Sequence, residues 1–421
     1  MSKPFLQVGV SKVDITPVLP VPLAGFAVRS ELGPFEGISH KLYARIFVFV
    51  DGSIEDKAIL ISADLLWWGS DRVPGLKQRI VARFGIAEDA ILLHGTHTHS
   101  GPQTSGLFTS YLGVMDEDYV NTLELRVIEG IEAALLQVEP VRIEQGSGSS
   151  PLGINRRGIA HSPPETGPVD HELRVVRFVK EDGGTKGLLV HYACHPVITR
   201  DNLVSSEYTG VAMTLVEQAV GEEVVVAFLQ GTCGDINPGD GKQVIRGNND
   251  VVVQIGIDFA DCVLETLRMR LRQAASSHVG WRKIVVELPL ADLPNRVQLV
   301  KSALKPDVLG EWSRLMLERY DDLTPYIPLE LTVLKLADNL SLLGMNAEVV
   351  VDYGLFIKRI TAGSMLPIGY TNGMFGYIPT AQQLEEGGYE THESTFYFAM
   401  PASFDHSVEL TVKDALLKLL T

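Results

Sequence analysis

The sequence has 421 residues, 45% of them hydrophobic and 21% charged, with a formal net charge of -16. That is the balance of a globular chain long enough for one large domain or two or three smaller ones. The acidic excess argues against a nucleic-acid partner and against stable association with an anionic membrane, since both need basic patches.

The opening stretch from Met1 to Gln7 shows no apolar leader, and no run approaches the roughly 18 apolar residues of a membrane span. Cys194, Cys233 and Cys262 are too few for a disulfide framework. A reduced, cytoplasmic protein is the expectation. Gln7 to Asp14 alternates as a first strand, closed by Thr16-Pro17, and a Pro- and Gly-containing loop runs on to Gly37. His40 to Val50 and Ala58 to Ala63 read as the next strands, with Asp64, Trp67 and Trp68 just beyond; the two tryptophans suit core or lid packing.

Val73 to Phe84 has its apolar residues on one helical face. Tyr119 to Gln137 does so more cleanly, with Val120, Leu123, Val127, Ile131 and Ala134 three or four apart. Ala90 to Leu93 is a short buried strand. Ser147 to Pro168, rich in Gly, Ser and Pro, reads as one long loop around Asn155-Arg156-Arg157. Strands follow at Leu173 to Val179, Gly187 to Ala193 and Val224 to Gln230, with helices at Thr209 to Val220 and Asn249 to Arg272. Residues 275–325 are more polar and are expected to form a helical excursion. Leu329 to Leu336 and Ser341 to Met345 are strands, Ala347 to Ile360 a helix with Glu348 in its first turn, Met365 to Tyr370 a late strand, and Asp405 to Leu420 a closing helix. The alternation predicts a layered α/β (mixed α and β) architecture, and with no linker or repeat, a single domain spanning 1–421.

Chemistry-bearing residues gather where apolar strands end. Thr96-His97-Thr98-His99-Ser100-Gly101-Pro102 follows the strand at Ala90 to Leu93. In an extended chain His97 and His99 face the same side, so they could hold a metal, or a metal and a proton, or be two hydrogen-bonded loop histidines. His195 closes another strand ahead of Pro196. Gln230 runs into the Gly-rich loop that carries Asp235 and Asn237, where turn formation is the alternative role. Glu348 opens a helix, and Tyr377 and Tyr389 sit in polar Gly-Tyr loops. The set is dispersed, oxygen-rich and lacks clustered cysteines, which suits an open catalytic metal site better than a closed structural one.

These motifs, in this order, resemble the catalytic part of the neutral/alkaline non-lysosomal ceramidases, zinc-dependent amidases. The resemblance runs through Gly9 to Pro17, Leu42-Tyr43-Ala44-Arg45, Thr96 to Pro102, Asn155-Arg156, His195-Pro196, Gln230 to Pro238, Glu348 and Tyr377 to Tyr389. It implies one Zn2+ per chain held by His97, His195, Glu348 and Tyr377, with His99, Arg156 and Tyr389 catalytic; Asp235 and Asn237 are expected on the substrate. It implies a ceramidase-like fold for the whole chain. Three departures stand out: Asn237 occupies the position of the family's active serine, the C-terminal immunoglobulin-like domain is absent from this short, bacterial-type chain, and so is a secretion signal.

The expected reaction is hydrolysis by zinc-activated water of an amide, or of an ester or lactone, in a small soluble substrate. His99 would shuttle the proton, and Arg156 and Tyr389 would stabilise the oxyanion. Alternatives are a true ceramidase, a two-metal phosphoester hydrolase drawing on Asp14, Asp64 or Asp235, and a non-catalytic binding homologue.

Overall fold

The structure is a computed structural model that describes residues 6–52, 57–160 and 167–420. The leaderless stretch read at residues 1–5 and the middle of the long loop at 161–166 lie outside the described residues. Helices and strands mix throughout, as the α/β expectation requires.

The main sheet has nine strands, in the order Val225–Gln230, Thr185–Tyr192, Glu172–Lys180, Glu139–Ser149, Leu6–Asp14, Tyr43–Asp51, Lys57–Ala63, Ile91–Gly95, with Arg272–Gln273 added beside Glu139–Ser149. Its centre is antiparallel, but each edge ends in a parallel pair: Val225–Gln230 with Thr185–Tyr192, and Ile91–Gly95 with Lys57–Ala63. The buried strands at these edges read as continuous apolar runs for that reason, covered on both faces. The two edges face each other. Ser62 Oγ donates to Phe228 O at 2.6 Å, and Gln230 N donates to His94 Nε2 at 2.9 Å. The carboxyl ends of the two parallel pairs therefore converge, the place where α/β sheets build their sites.

The helix Glu117–Leu135 packs on the sheet through Val120, Leu123, Val127, Ile131 and Ala134, all buried, and Asp116 caps it by accepting from Tyr119 N. The helix approaches so closely that a Cβ at Gly9 would stand 2.0 Å from Ala134 O, so the strand Leu6–Asp14 needs glycine there.

Two sequence expectations change. The stretch 147–168 is not one loop: its start completes the strand Glu139–Ser149, Gly153–Asn155 is a short strand paired with Ile236–Pro238, and Arg156–Ala160 is one helical turn. Nor is 275–325 all helical. It opens with the strand Ser277–Pro289, whose half-buried residues gave little alternation to read, and only then forms Arg296–Ser302 and Val308–Glu318. That strand starts a second sheet with Tyr326–Ala337, Leu340–Met345 and Met365–Ile368. One apolar cluster takes Phe47, Ile59 and Leu92 from the main sheet together with Leu334, Leu340, Leu342 and Ile368 from the second. The second sheet thus lies against the first, with the segments after Met345 and Ile368 directed to the converging strand ends. No helix among the described residues is long and apolar enough to cross a membrane.

Candidate metal centre

Ile91–Gly95 delivers the first histidine. After it, Thr96 N donates to Ala63 O at 2.9 Å and His97 N to Leu65 O at 2.8 Å, which draws the chain back across the neighbouring strand's end. His97 takes a φ of 69°, in the left-handed region that a side chain bearing a Cβ rarely adopts. Such strain costs on the order of 1–3 kcal/mol and clusters at functional sites. The turn, not an extended alternation, brings His97 and His99 together, with their Nε2 atoms 3.1 Å apart. His195 arrives from the other edge, three residues past Thr185–Tyr192, its backbone N bound to Ile236 O at 3.0 Å.

Glu348 comes from the second sheet. It lies in the two-residue strand Glu348–Val349, and the helix starts only at Val351, so helix-dipole matching does not explain it. Its register partner in the parallel strand Tyr377–Ile378 is Tyr377 itself, so the ladder puts both side chains on one face. Glu348 Oε1 stands 2.7 Å from His195 Nε2 and 3.4 Å from His97 Nε2.

The hydrogen bonds behind the imidazoles decide what this point can hold. Nδ1 of His97 meets Leu66 O at 2.9 Å, Nδ1 of His99 meets Gly25 O at 3.0 Å, and Nδ1 of His195 meets Ile236 O at 3.0 Å. A carbonyl only accepts, so each Nδ1 carries the hydrogen and each Nε2 presents a lone pair. The ligating nitrogens of these three histidines lie within 4.8 Å of one another. Three lone pairs and a carboxylate oxygen around one point repel each other. One proton could bridge one gap; the whole set is relieved by a multivalent cation. The residues therefore fit a metal ion.

Arg156 lies beside this group. Its Nε donates to Glu390 Oε1 at 2.7 Å, one terminal nitrogen to Asn237 Oδ1 at 3.2 Å and the other to the Tyr377 hydroxyl at 3.2 Å. Three of its five N–H donors are thus engaged with protein groups, which sets it beside Tyr377 and Asn237. Arg157 turns away to Glu390, Glu386 and the carbonyl of Gly387. Burial pushes the Tyr377 phenol well up, as does the nearby Glu348, while Arg156 pulls it down. Tyr389 stands at the rim, 37% exposed, its ring edge-on to Tyr377 with centroids 5.7 Å apart.

Asn237 is nearly buried, and because Arg156 fixes its oxygen, its amide NH2 is left to face outward as a donor. Asp235 differs from the expectation of a substrate contact. It is fully buried, with Oδ1 accepting from Val351 N at 2.9 Å and Oδ2 from Asn155 and Gln383 at 3.1 Å each. Its oxygens clamp together the strand Gly153–Asn155 and the starts of the helices Val351–Ile360 and Ala381–Glu386.

The two-metal alternative loses its ligands. Asp14 pairs at the surface with Lys41 at 2.8 Å, Asp64 is buried against Arg45 at 3.0 Å, and Asp235 is the clamp just described. Among the described residues the grouping of candidate metal ligands is His97, His99 and His195.

Sequence reasoning passed over three residues. Glu390 holds both arginines, and two adjacent arginines in a loop were the signal that a buried counter-ion was needed. Arg29, buried, grips the back of the His-Thr-His turn through the carbonyls of His99 and Asp201 and the Ser100 hydroxyl. Tyr370 stacks on His97, and nothing in its local pattern marks it. On the apolar side, Trp67, Phe108 and Phe398 form an aromatic wall whose centroids lie 5.1–5.7 Å apart, with Phe398 also 5.8 Å from Tyr377. Phe108 and Phe398 also line a cavity of about 250 Å³, together with Met374, Met400, Arg319 and Asp322 among others.

Comparison with known proteins agrees with this picture. Residues 6–250 match the family described as neutral/alkaline non-lysosomal ceramidase, N-terminal. The chain is 28% identical over 257 residues to neutral ceramidase B of Dictyostelium discoideum, covering 55% of this chain and 35% of that protein. It is 26% identical over 247 residues to the neutral ceramidase of Pseudomonas aeruginosa, covering 55% of this chain and 36% of that protein. The matches thus span about a third of the length of these relatives. The crystal structure of the Pseudomonas aeruginosa neutral ceramidase superposes with a TM-score of 0.79 over 98% of this chain and 74% of that one, at 20% identity, which shows a shared fold. His97, His99, Arg156, His195, Asp235 and Asn237 fall inside the matched segment; Glu348, Tyr377 and Tyr389 fall beyond it.

Proposed function

Because the chain belongs to the neutral/alkaline non-lysosomal ceramidase family, we propose that it is a zinc-dependent amidohydrolase acting on an N-acylated amphiphile of the ceramide type. The single observation that carries the metal-dependent chemistry is the convergence of three imidazole lone pairs and the Glu348 carboxylate on one buried point.

His97, His195, Glu348 and Tyr377 would hold one zinc. When bound, zinc supplies Lewis acidity toward a carbonyl and lowers the pKa of a water to about 7. His99 is the histidine of the three that remains partly exposed, which assigns it the proton. Its Nε2 accepts from the attacking water as the O–C bond forms, and returns that proton to the amine nitrogen as the C–N bond breaks. The amide NH2 of Asn237 and the Tyr389 hydroxyl donate to the carbonyl oxygen as it gains charge. Asn237 offers no nucleophile, so water attacks directly. Arg156 holds the Tyr377 oxygen and the Asn237 amide in place. Asp235 and Glu390 keep these loops in register.

The aromatic wall beside Tyr377 favours an apolar chain over the small soluble substrate expected from the sequence, as does the company of relatives named neutral ceramidases. The three cysteines are free thiols, which suits a cytoplasmic location. The test is hydrolysis of long-chain N-acylsphingosine against small N-acyl amides, esters and lactones by zinc-loaded protein, with His97→Ala as control. Amide turnover that depends on zinc and rises with acyl length is expected. Hydrolysis of esters or lactones alone would overturn the amide assignment, and no turnover with any of them would favour a binding homologue.

A further inference from the structure

Tyr370 touches three of the segments that carry the donor set. Its carbonyl accepts from Gly95 N at 3.0 Å, at the end of the strand that leads to His97, and its own N donates to Ala347 O at 3.1 Å, one residue before Glu348. Its hydroxyl meets Cys233 Sγ at 3.3 Å, in the loop that continues to Ile236, whose carbonyl holds His195, and to Asn237. Its ring lies flat on the His97 imidazole, with centroids 3.9 Å apart and planes within 18°. The residue is fully buried and has a φ of 52°, so it and His97 are both held in the left-handed region, one against the other. A backbone kept in that region twice in one contact must be over-determined by its surroundings.

The bond from Nδ1 to Leu66 O fixes one atom of the His97 ring. With the covalent Cβ–Cγ bond this restrains the turn of the ring, but a hydrogen bond leaves it a range of tilt. The other aromatic neighbours meet it at an angle: Trp67 at 38°, His195 at 68° and His99 at 90°. The flat partner narrows that range most directly. We propose that Tyr370 is a positioning residue of the metal centre, whose stacked ring sets the plane of His97 and so aims its Nε2 at the shared point. This rests on the metal-binding reading of His97 given above.

The test compares Tyr370→Phe, which keeps the flat ring, with Tyr370→Met, which keeps bulk without a plane. Zinc affinity is measured by competition with a chromophoric chelator, and ligand geometry by the visible absorption of the cobalt-substituted protein; neither needs turnover. Tyr370→Phe should keep wild-type affinity and cobalt spectrum. Tyr370→Met should bind zinc about 10- to 100-fold more weakly, the range for lost outer-shell support, with a changed spectrum and a metal-free melting temperature close to wild type. Tyr370→Met that binds as tightly as wild type, or Tyr370→Phe as weak as Tyr370→Met, would overturn the proposal. Should Tyr370→Met not fold, Tyr370→Leu, also without a plane, takes its place: weaker zinc binding with a changed spectrum supports the ring's role, and wild-type affinity overturns it. Wild-type protein that takes up no zinc would remove the metal reading and this inference with it. Tight zinc in both wild type and Tyr370→Met removes the inference alone.

Discussion

At the scale of single residues, adjacent side chains in this site have different work. His97 and His99 stand 3.1 Å apart through Nε2, yet one is sealed and the other partly open. His97→Ala should lose the metal on dialysis against a mild chelator, whereas His99→Ala should retain it and lose about 100-fold or more in turnover. Equal loss of zinc from both would point to a three-histidine site. The arginine pair divides in the same way. Arg156 reaches Tyr377 and Asn237, and Arg157 reaches Glu386 and Gly387. Lysine cannot reproduce a fork that serves three acceptors. Arg156→Lys should therefore weaken zinc binding about 10-fold and lower turnover with it, while Arg157→Lys should do neither. A chelator titration of both variants checks this, and equal effects would refute the division.

At the scale of elements, the helix Val351–Ile360, which follows Glu348 closely, is tied to the main sheet by Lys358. Its Nζ lies 2.9 Å from Glu172 and 2.6 Å from Asp170. Burial alone would raise the Glu172 carboxyl, but Lys358 and the hydrogen bond from Ser147 outweigh it and hold the group down at about 2, from an ordinary 4.5. A depressed carboxyl contributes stability that is complete above its unfolded value and is lost as pH falls through the folded one. Glu172→Gln should thus be less stable than wild type at pH 7, with the gap closing between about pH 4.5 and 2. Urea denaturation across that window reads it directly, and a gap independent of pH would show that the ion pair contributes nothing.

At the scale of the whole molecule, the single-domain expectation becomes a proposal with a measurable consequence. Both large apolar clusters draw residues from both sheets: Phe47 and Leu342 share one, Phe228 and Leu343 the other. Elements that share a core lose it together, so calorimetry of the metal-free protein should show one cooperative transition. Two separated transitions would mean that the sheets fold as separate units. Zinc in excess should raise that single midpoint, because an ion that binds only the native state stabilises it by mass action.

The strands at the sheet edges, the amphipathic helices and the motif order were legible in the sequence because they are local: periodicity, turn residues and short strings of histidine, glycine and proline carry them. What failed were readings that needed a partner. The strand Ser277–Pro289 hides in a polar stretch because its half-buried faces depend on a sheet formed some forty residues later. Glu348 read as the first turn of a helix because its strand is two residues long and exists through its pairing with Tyr377. Asp235 read as a substrate contact because nothing local announces the three donors, from residues 155, 351 and 383, that surround it. The sequence alone determined which residue types were available for metal chemistry, and in which order. Only the tertiary structure decided that Tyr370 flanks His97, that Arg156 stands beside Tyr377, and that Nδ1 of His97, His99 and His195 each faces a carbonyl. Those contacts join residues tens to hundreds of positions apart, and no local pattern encodes a distance across the fold.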